Sequence, residues 1–85
     1  MMIYLLGIVV DAPACEGGTA RFELDVSESW SGAGGPRHQT LRYQCEAPAE
    51  AVAGLEAGTT INARGRPRDG EPLGFSVSSL DVVST

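Results

Sequence analysis

Lysine is absent from this 85-residue chain, so each of its six basic residues is an arginine. Arginine supplies bidentate, stackable contacts where lysine supplies a point charge, but the missing lysine alone carries no functional conclusion. Basic charge is scarce altogether: 11 acids against six bases give a formal net charge of −5 and a pI near 4.6. That sign is wrong for a protein that holds phosphates by bulk charge. Metal ligands are equally few. One histidine and two cysteines, Cys15 and Cys45, with no C-x-x-C spacing, cannot assemble a zinc site of the usual kind. No cofactor is expected. The longest apolar run, Met1 to Val10, is closed by Asp11 at half of the roughly 20 residues a membrane helix needs. No basic residue precedes it, as a secretory signal requires, and Pro13 sits badly in the faintly lipoprotein-like Ala14-Cys15. These absences lead us to expect a cytoplasmic protein with reduced cysteines and no membrane partner. The glycine-rich Ser31 to Pro36 lacks the Gly-Lys-Ser/Thr ending of a phosphate-cradling loop, and no acid pair or cysteine sits in a catalytic pattern. An enzyme is not expected.

What remains is a chain of one domain, 1–85, small enough to bury only about 60 to 65% of its unfolded surface. Without disulfides or a metal, a partner subunit is the remaining source of stability. The clearest pattern is the alternation from Ala20 to Val26, which puts Ala20, Phe22, Leu24 and Val26 on one face and Arg21, Glu23, Asp25 and Ser27 on the other. Trp30, the only tryptophan, lies where this strand runs out. Before it, Ile3 to Val10 reads as strand one, and Glu16 to Thr19 as a turn. After the glycine-rich loop, strand three runs from His38 to Glu46, with Leu41, Tyr43 and Cys45 on one face. Alanine-rich Ala47 to Ala57, with Pro48 in a first turn and Gly58 as a cap, predicts a short helix. Thr59 to Arg66 is strand four, with Ile61, Ala63 and Gly65 opposite Thr60, Asn62, Arg64 and Arg66. Pro67 to Pro72 is a turn around Asp69-Gly70. Leu73 to Val83 is strand five, its alternation slipping near Leu80 as a bulge would cause.

Three strands, a helix, then two strands is the element order of an OB-fold, a five-stranded Greek-key barrel of the all-β class with a short helix between strands three and four. In that order the residues resemble the bacterial single-stranded DNA-binding protein family. Leu5-Leu6-Gly7-Ile8-Val9-Val10-Asp11-Ala12-Pro13 is similar to the family's "L-x-G-x-V-x-x-x-P", and Phe22-Glu23-Leu24 with Trp30 to its "F-x-L-A-x-x-x-x-W". Leu55-Glu56-Ala57-Gly58-Thr59-Thr60-Ile61 resembles the helix end before strand four, and Gly65-Arg66-Pro67-Arg68 its "G-R-L-R". The similarity covers nearly the whole chain. Trp30 is the one aromatic in a matching place. Leu41 and Ala47 stand where aromatics are usual, and the last hairpin is short. Brevity and the lack of an acidic tail are closer to the family's small relatives, the primosomal replication protein N group. Recruitment of repair enzymes through a tail is therefore not carried over.

The resemblance implies single-stranded DNA binding without sequence preference, in replication or replication restart. One aromatic platform is worth roughly 1 to 3 kcal/mol per base, so Trp30 needs help from arginines. Arg42, Arg64 and Arg66 project from polar strand faces, and Arg37 and Arg68 sit at loop ends. Arg64, Arg66 and Arg68, at alternate positions with few acids nearby, are expected to meet phosphate. Arg21 is expected to pair with acids instead. Trp30 packing under the loop, and the arginines pairing with Glu23, Asp25 or Glu46, are the structural alternatives. Strand one is apolar on both faces, with Tyr4 assignable to either, so something must cover it. Family members pair subunits there, which implies a homodimer through Ile3 to Val10; replication proteins are further candidate partners. The rival from another class is an OB-fold interaction module that has lost strong DNA binding, a reading the acidic pI favours.

Overall fold

Alternating side chains become ladders in a computed structural model that describes residues 2–68, 70 and 73–84, with backbone alone at 28–31. The strands are β1 (Ile3–Val9), β2 (Ala14–Glu16), β3 (Thr19–Gly32), β4 (Gly35–Pro48), β5 (Thr60–Arg68) and β6 (Gly74–Ser84). They form one sheet in the order β1-β5-β6-β4-β3-β2, which closes through an additional β1–β3 pairing. All ladders are antiparallel except β4–β6, where Gln44, Cys45 and Glu46 run parallel to Gly74, Phe75 and Ser76. With β2 set aside, the expected strands one to five are β1, β3, β4, β5 and β6. The closed Greek-key barrel anticipated from their order is present.

The inward rows fill it. Ala20, Phe22, Leu24 and Val26 are all buried, as are Leu5 and Val9, Cys45 and Ala47, Ile61 and Ala63, and Phe75 and Val77. Burying the valine, leucine, isoleucine and phenylalanine side chains among them is worth about 1.5 to 3 kcal/mol each. Tyr43 packs against this core from its edge, its ring 6.3 Å from that of Phe75 and inclined at 74°. Closure depends on two close approaches. A Cβ on Gly7 would lie 2.6 Å from the carbonyl oxygen of Asp25, so only glycine lets β1 reach β3. A Cβ on Gly65 would overlap the carbonyl of Ser76 in β6.

The local expectations fare differently. The segment Ser31 to Pro36 is not a loop: β3 and β4 stay paired to Gly32↔Gly35, leaving a tight turn at Ala33 and Gly34. Gly35, at φ 98°, takes the left-handed conformation that follows such a turn. The short helix expected within Ala47 to Ala57 is present but covers less of that segment. It is a single 3-10 turn, Ala49–Val52, because positive φ at Gly54 and Gly58 breaks propagation that a segment this short cannot recover. Its expected apolar pair survives, since Val52 and Leu55 are both buried. The exposed β2 went unanticipated because a short edge strand without buried positions leaves no alternation to see. The bulge expected near Leu80 is present, at Ser78. Ala63 and Arg64 oppose Leu80 and Ser79, whereas Gly65 opposes Val77, so Ser78 is the extra residue. A second slip passes over Val83. β5 also continues through Pro67 to Arg68, which is tolerated because β1 ends opposite Gly65 and leaves that side of Pro67 without a ladder. Of the turn expected after it, Asp69, Glu71 and Pro72 lie outside the described residues. Among the described residues, no helix is long and apolar enough to cross a membrane.

Candidate nucleic-acid interface

The β3–β4 hairpin is the longest piece of paired chain, 14 residues in each strand. Its barrel end is buried through Val26 and Cys45, while Ser27 and the stretch from Pro36 to Thr40 are exposed. The turn end is therefore a two-stranded arm reaching beyond the core, within a molecule 47 Å in its longest dimension. Trp30 and Arg37 oppose one another in the arm's ladder. The side chain of Trp30 lies outside the described residues. The guanidinium of Arg37 folds back over Gly34, where an added Cβ would meet its Nη2 at 3.0 Å.

On the outer face of the same hairpin, each cross-strand neighbour from Arg21 to Ser27 is a polar partner. Arg21 Nε donates to Glu46 Oε1 at 3.3 Å, Gln44 Nε2 to Glu23 Oε2 at 3.0 Å, and Arg42 grips Asp25 through Nε and Nη2 at 2.7 and 3.0 Å. The hydroxyls of Ser27 and Thr40 are 3.5 Å apart. Arg42 also lies 3.8 Å from Glu23. Glu46 is shared, with Arg68 Nη1 at 3.3 Å from its Oε2. The pairing expected for Arg21 is there. The hydrogen bond from Arg42 holds the Asp25 carboxyl below its ordinary range, and those of Arg21 and Arg68 do the same for Glu46, Arg21 contributing most. Behind this face Cys45 is buried, which pushes its thiol up to about 12. Below the thiol's ordinary value that buried site favours the neutral form, and its contribution to stability is lost only as pH rises towards 12.

The second face is built by β1 and β5. Tyr4 opposes Arg64, Leu6 opposes Asn62 and Ile8 opposes Thr60, and cross-strand partners share a face. Tyr4, Leu6 and Ile8 are 66%, 58% and 50% exposed, so the open question of Tyr4 is resolved outward. Arg64 faces Ser79 on its other side and Arg66 faces Ser76. Among the described residues, Arg37, Arg64 and Arg66 have no ion pair, while Arg21 and Arg68 each have one and Arg42 has two. Beyond this face, β1 pairs with β3 at Ile8 and Val9, and the edge from Ile3 to Leu6 has no second ladder partner among the described residues.

A closed barrel with one parallel pair between its third and fifth main strands decides the fold. It is an OB-fold. The likeness to solved structures agrees. The Plasmodium falciparum single-stranded DNA-binding protein, in complex with single-stranded DNA, superposes with a TM-score of 0.72 at 18% identity, over 99% of this chain and 93% of that one. PriB from Ralstonia solanacearum gives 0.74 at 15% identity over 96% of each chain. The dimeric N-terminal domain of PriB from Thermoanaerobacter tencongensis gives 0.60 at 17%, over 99% of this chain and 97% of that one. No sequence family matches the chain, and no curated protein does. Among the described residues, no group of three or more histidine, cysteine or acidic side chains is placed to hold a metal.

Proposed function

We propose that the chain is a homodimeric, non-catalytic protein that binds single-stranded DNA without sequence preference, in DNA replication or replication restart in the cytoplasm. The observation that carries this reading is the division of the arginines. Arg37, Arg64 and Arg66 are exposed and free of carboxylates among the described residues, and they sit on the arm and on the β1–β5 face of an OB barrel. Trp30 on the arm supplies the stacking ring. Arg42 and Arg68 contribute only if phosphate displaces Asp25 and Glu46. The single-stranded DNA held by the Plasmodium protein on the same fold supports the choice of ligand. The open edge and apolar row of β1 support the dimer, as does the dimeric PriB domain.

Trp30 is the only tryptophan, so its fluorescence is the test. Oligo-dT is expected to quench it, with an apparent affinity that falls as salt rises, in proportion to the phosphates neutralised. No quenching at low salt with micromolar DNA overturns the proposal. It then favours a protein-interaction module, the reading that the neutralised Arg21, Arg42 and Arg68 support.

A further inference from the structure

The barrel is open at one end. Between the 3-10 turn and the last residues of β6 lies a cavity of about 340 Å³, lined by Val52, Leu55, Glu56, Thr59, Leu80 and Val82. Val82 belongs to the inward row, opposite the buried Ile61, yet it is 54% exposed because nothing closes the mouth above it. Thr59 is only 4% exposed. Beside the cavity, β6 pairs with β5 along one edge but with β4 only as far as Ser76. The other edge, from Val77 to Ser84, has no ladder partner among the described residues. The charged residues of the turn segment, Glu50 and Glu56, are both acidic, while Asp81 looks outward from β6 on the face where Arg64 of β5 opposes Ser79. Glu50, Glu56 and Asp81 are exposed and without an ion pair among the described residues. No arginine occurs anywhere in residues 49–59 or in β6.

An apolar cleft, an unpaired strand edge beside it and an acidic rim together describe a receptor for an extended chain. We propose that this mouth receives an extended, basic segment of a partner protein with alternating apolar residues. The segment adds as a strand to the open edge of β6, seats an apolar side chain over Val52, Leu55 and Val82, and sets its cations against Glu50 and Glu56. A nucleic acid is repelled here by the same charges. The arrangement gives the acidic balance of the chain a use, separated from the arginines of the arm and of β5.

A fluorescein-labelled octapeptide of alternating valine and lysine, titrated with the full chain and read by anisotropy, tests this. Saturable binding is expected, and glutamate in place of lysine is expected to weaken it at least about tenfold. Val82→Lys in the protein is expected to weaken it by about tenfold as well. Glu56→Lys is expected to do the same from an exposed position. Amide exchange in Leu80 to Ser84 is expected to slow on peptide binding. Unchanged affinity for oligo-dT and an unchanged circular dichroism spectrum show that each variant is folded. Three results overturn the proposal: no saturable binding of the valine–lysine peptide, equal binding of the glutamate peptide, or unaltered affinity in Glu56→Lys. A protein oligomer that Val82→Lys dissociates also overturns it, because a second copy then fills the mouth.

Discussion

The outer faces of the β3–β4 hairpin and of the β1–β5 pair are built by the same strand alternation and carry arginines at similar density, yet they end in opposite states. On β3–β4 each polar side chain meets its complement directly across the ladder, from Arg21 with Glu46 to Ser27 with Thr40. On β1–β5 the residue across from Arg64 is Tyr4, and across from Asn62 it is Leu6. The first face is satisfied within the chain. The second offers cations, the ring of Tyr4 and the aliphatic side chains of Leu6 and Ile8 without a partner among the described residues, which is the state a binding surface has before its ligand arrives. The difference lies in the register, since an arginine is spent or spared according to the one residue that faces it.

The largest test of this contrast is oligomeric. Leu6→Asp, in the middle of the exposed apolar row, is expected to convert the dimer to a monomer by light scattering at micromolar protein. Gln44→Ala on the opposite face leaves the mass unchanged. A monomeric parent chain, or a dimer indifferent to Leu6→Asp, breaks the contrast. Next comes nucleic acid. Replacing Arg64 and Arg66 together by alanine is expected to weaken oligo-dT binding and to lower the salt slope by roughly two, whereas Arg42→Ala leaves the slope unchanged. The reverse pattern moves the interface to β3–β4. The smallest effect is acid sensitivity. Asp25 and Glu46 have folded pKa values below their ordinary 3.8 and 4.5. Their contribution is therefore present above those ordinary values and lost as pH falls through the lower folded ones. Arg42→Ala is expected to lower the urea midpoint at about pH 7 and to lower it less at about pH 2, where more of Asp25 is protonated. An equal loss at both would show that its aliphatic stem, rather than its charge, matters.

Much of this was legible in the chain because the barrel strands alternate. Ala20, Phe22, Leu24 and Val26 announced their face, and so did Ile61, Ala63 and Gly65 with Arg64 and Arg66 opposite. What could not be read depends on partners distant in sequence. The arginines of β4 and β5 look alike until register sets Arg42 against Asp25 and Arg64 against Tyr4. Arg68 was expected to be free because its own segment has few acids, but Glu46 reaches it from β4. Tyr4 could not be assigned while its neighbours on both sides were apolar. The glycines misled in the other direction. Gly32, Gly34 and Gly35 suggest a loose loop by composition, but ladder pairing carries the strands to the turn. Gly54 and Gly58 stop a helix that the alanines around them invite.

The extra residue Ser78 has a consequence for all of β6 beyond it. Before it the odd-numbered positions, Phe75 and Val77, look into the barrel; after it the even-numbered ones, Leu80 and Val82, do so. The strand is thus written in two frames joined at one serine. Deleting that serine would leave the composition of β6 nearly intact and turn its second half inside out, carrying Asp81 into the oil and Leu80 and Val82 into water.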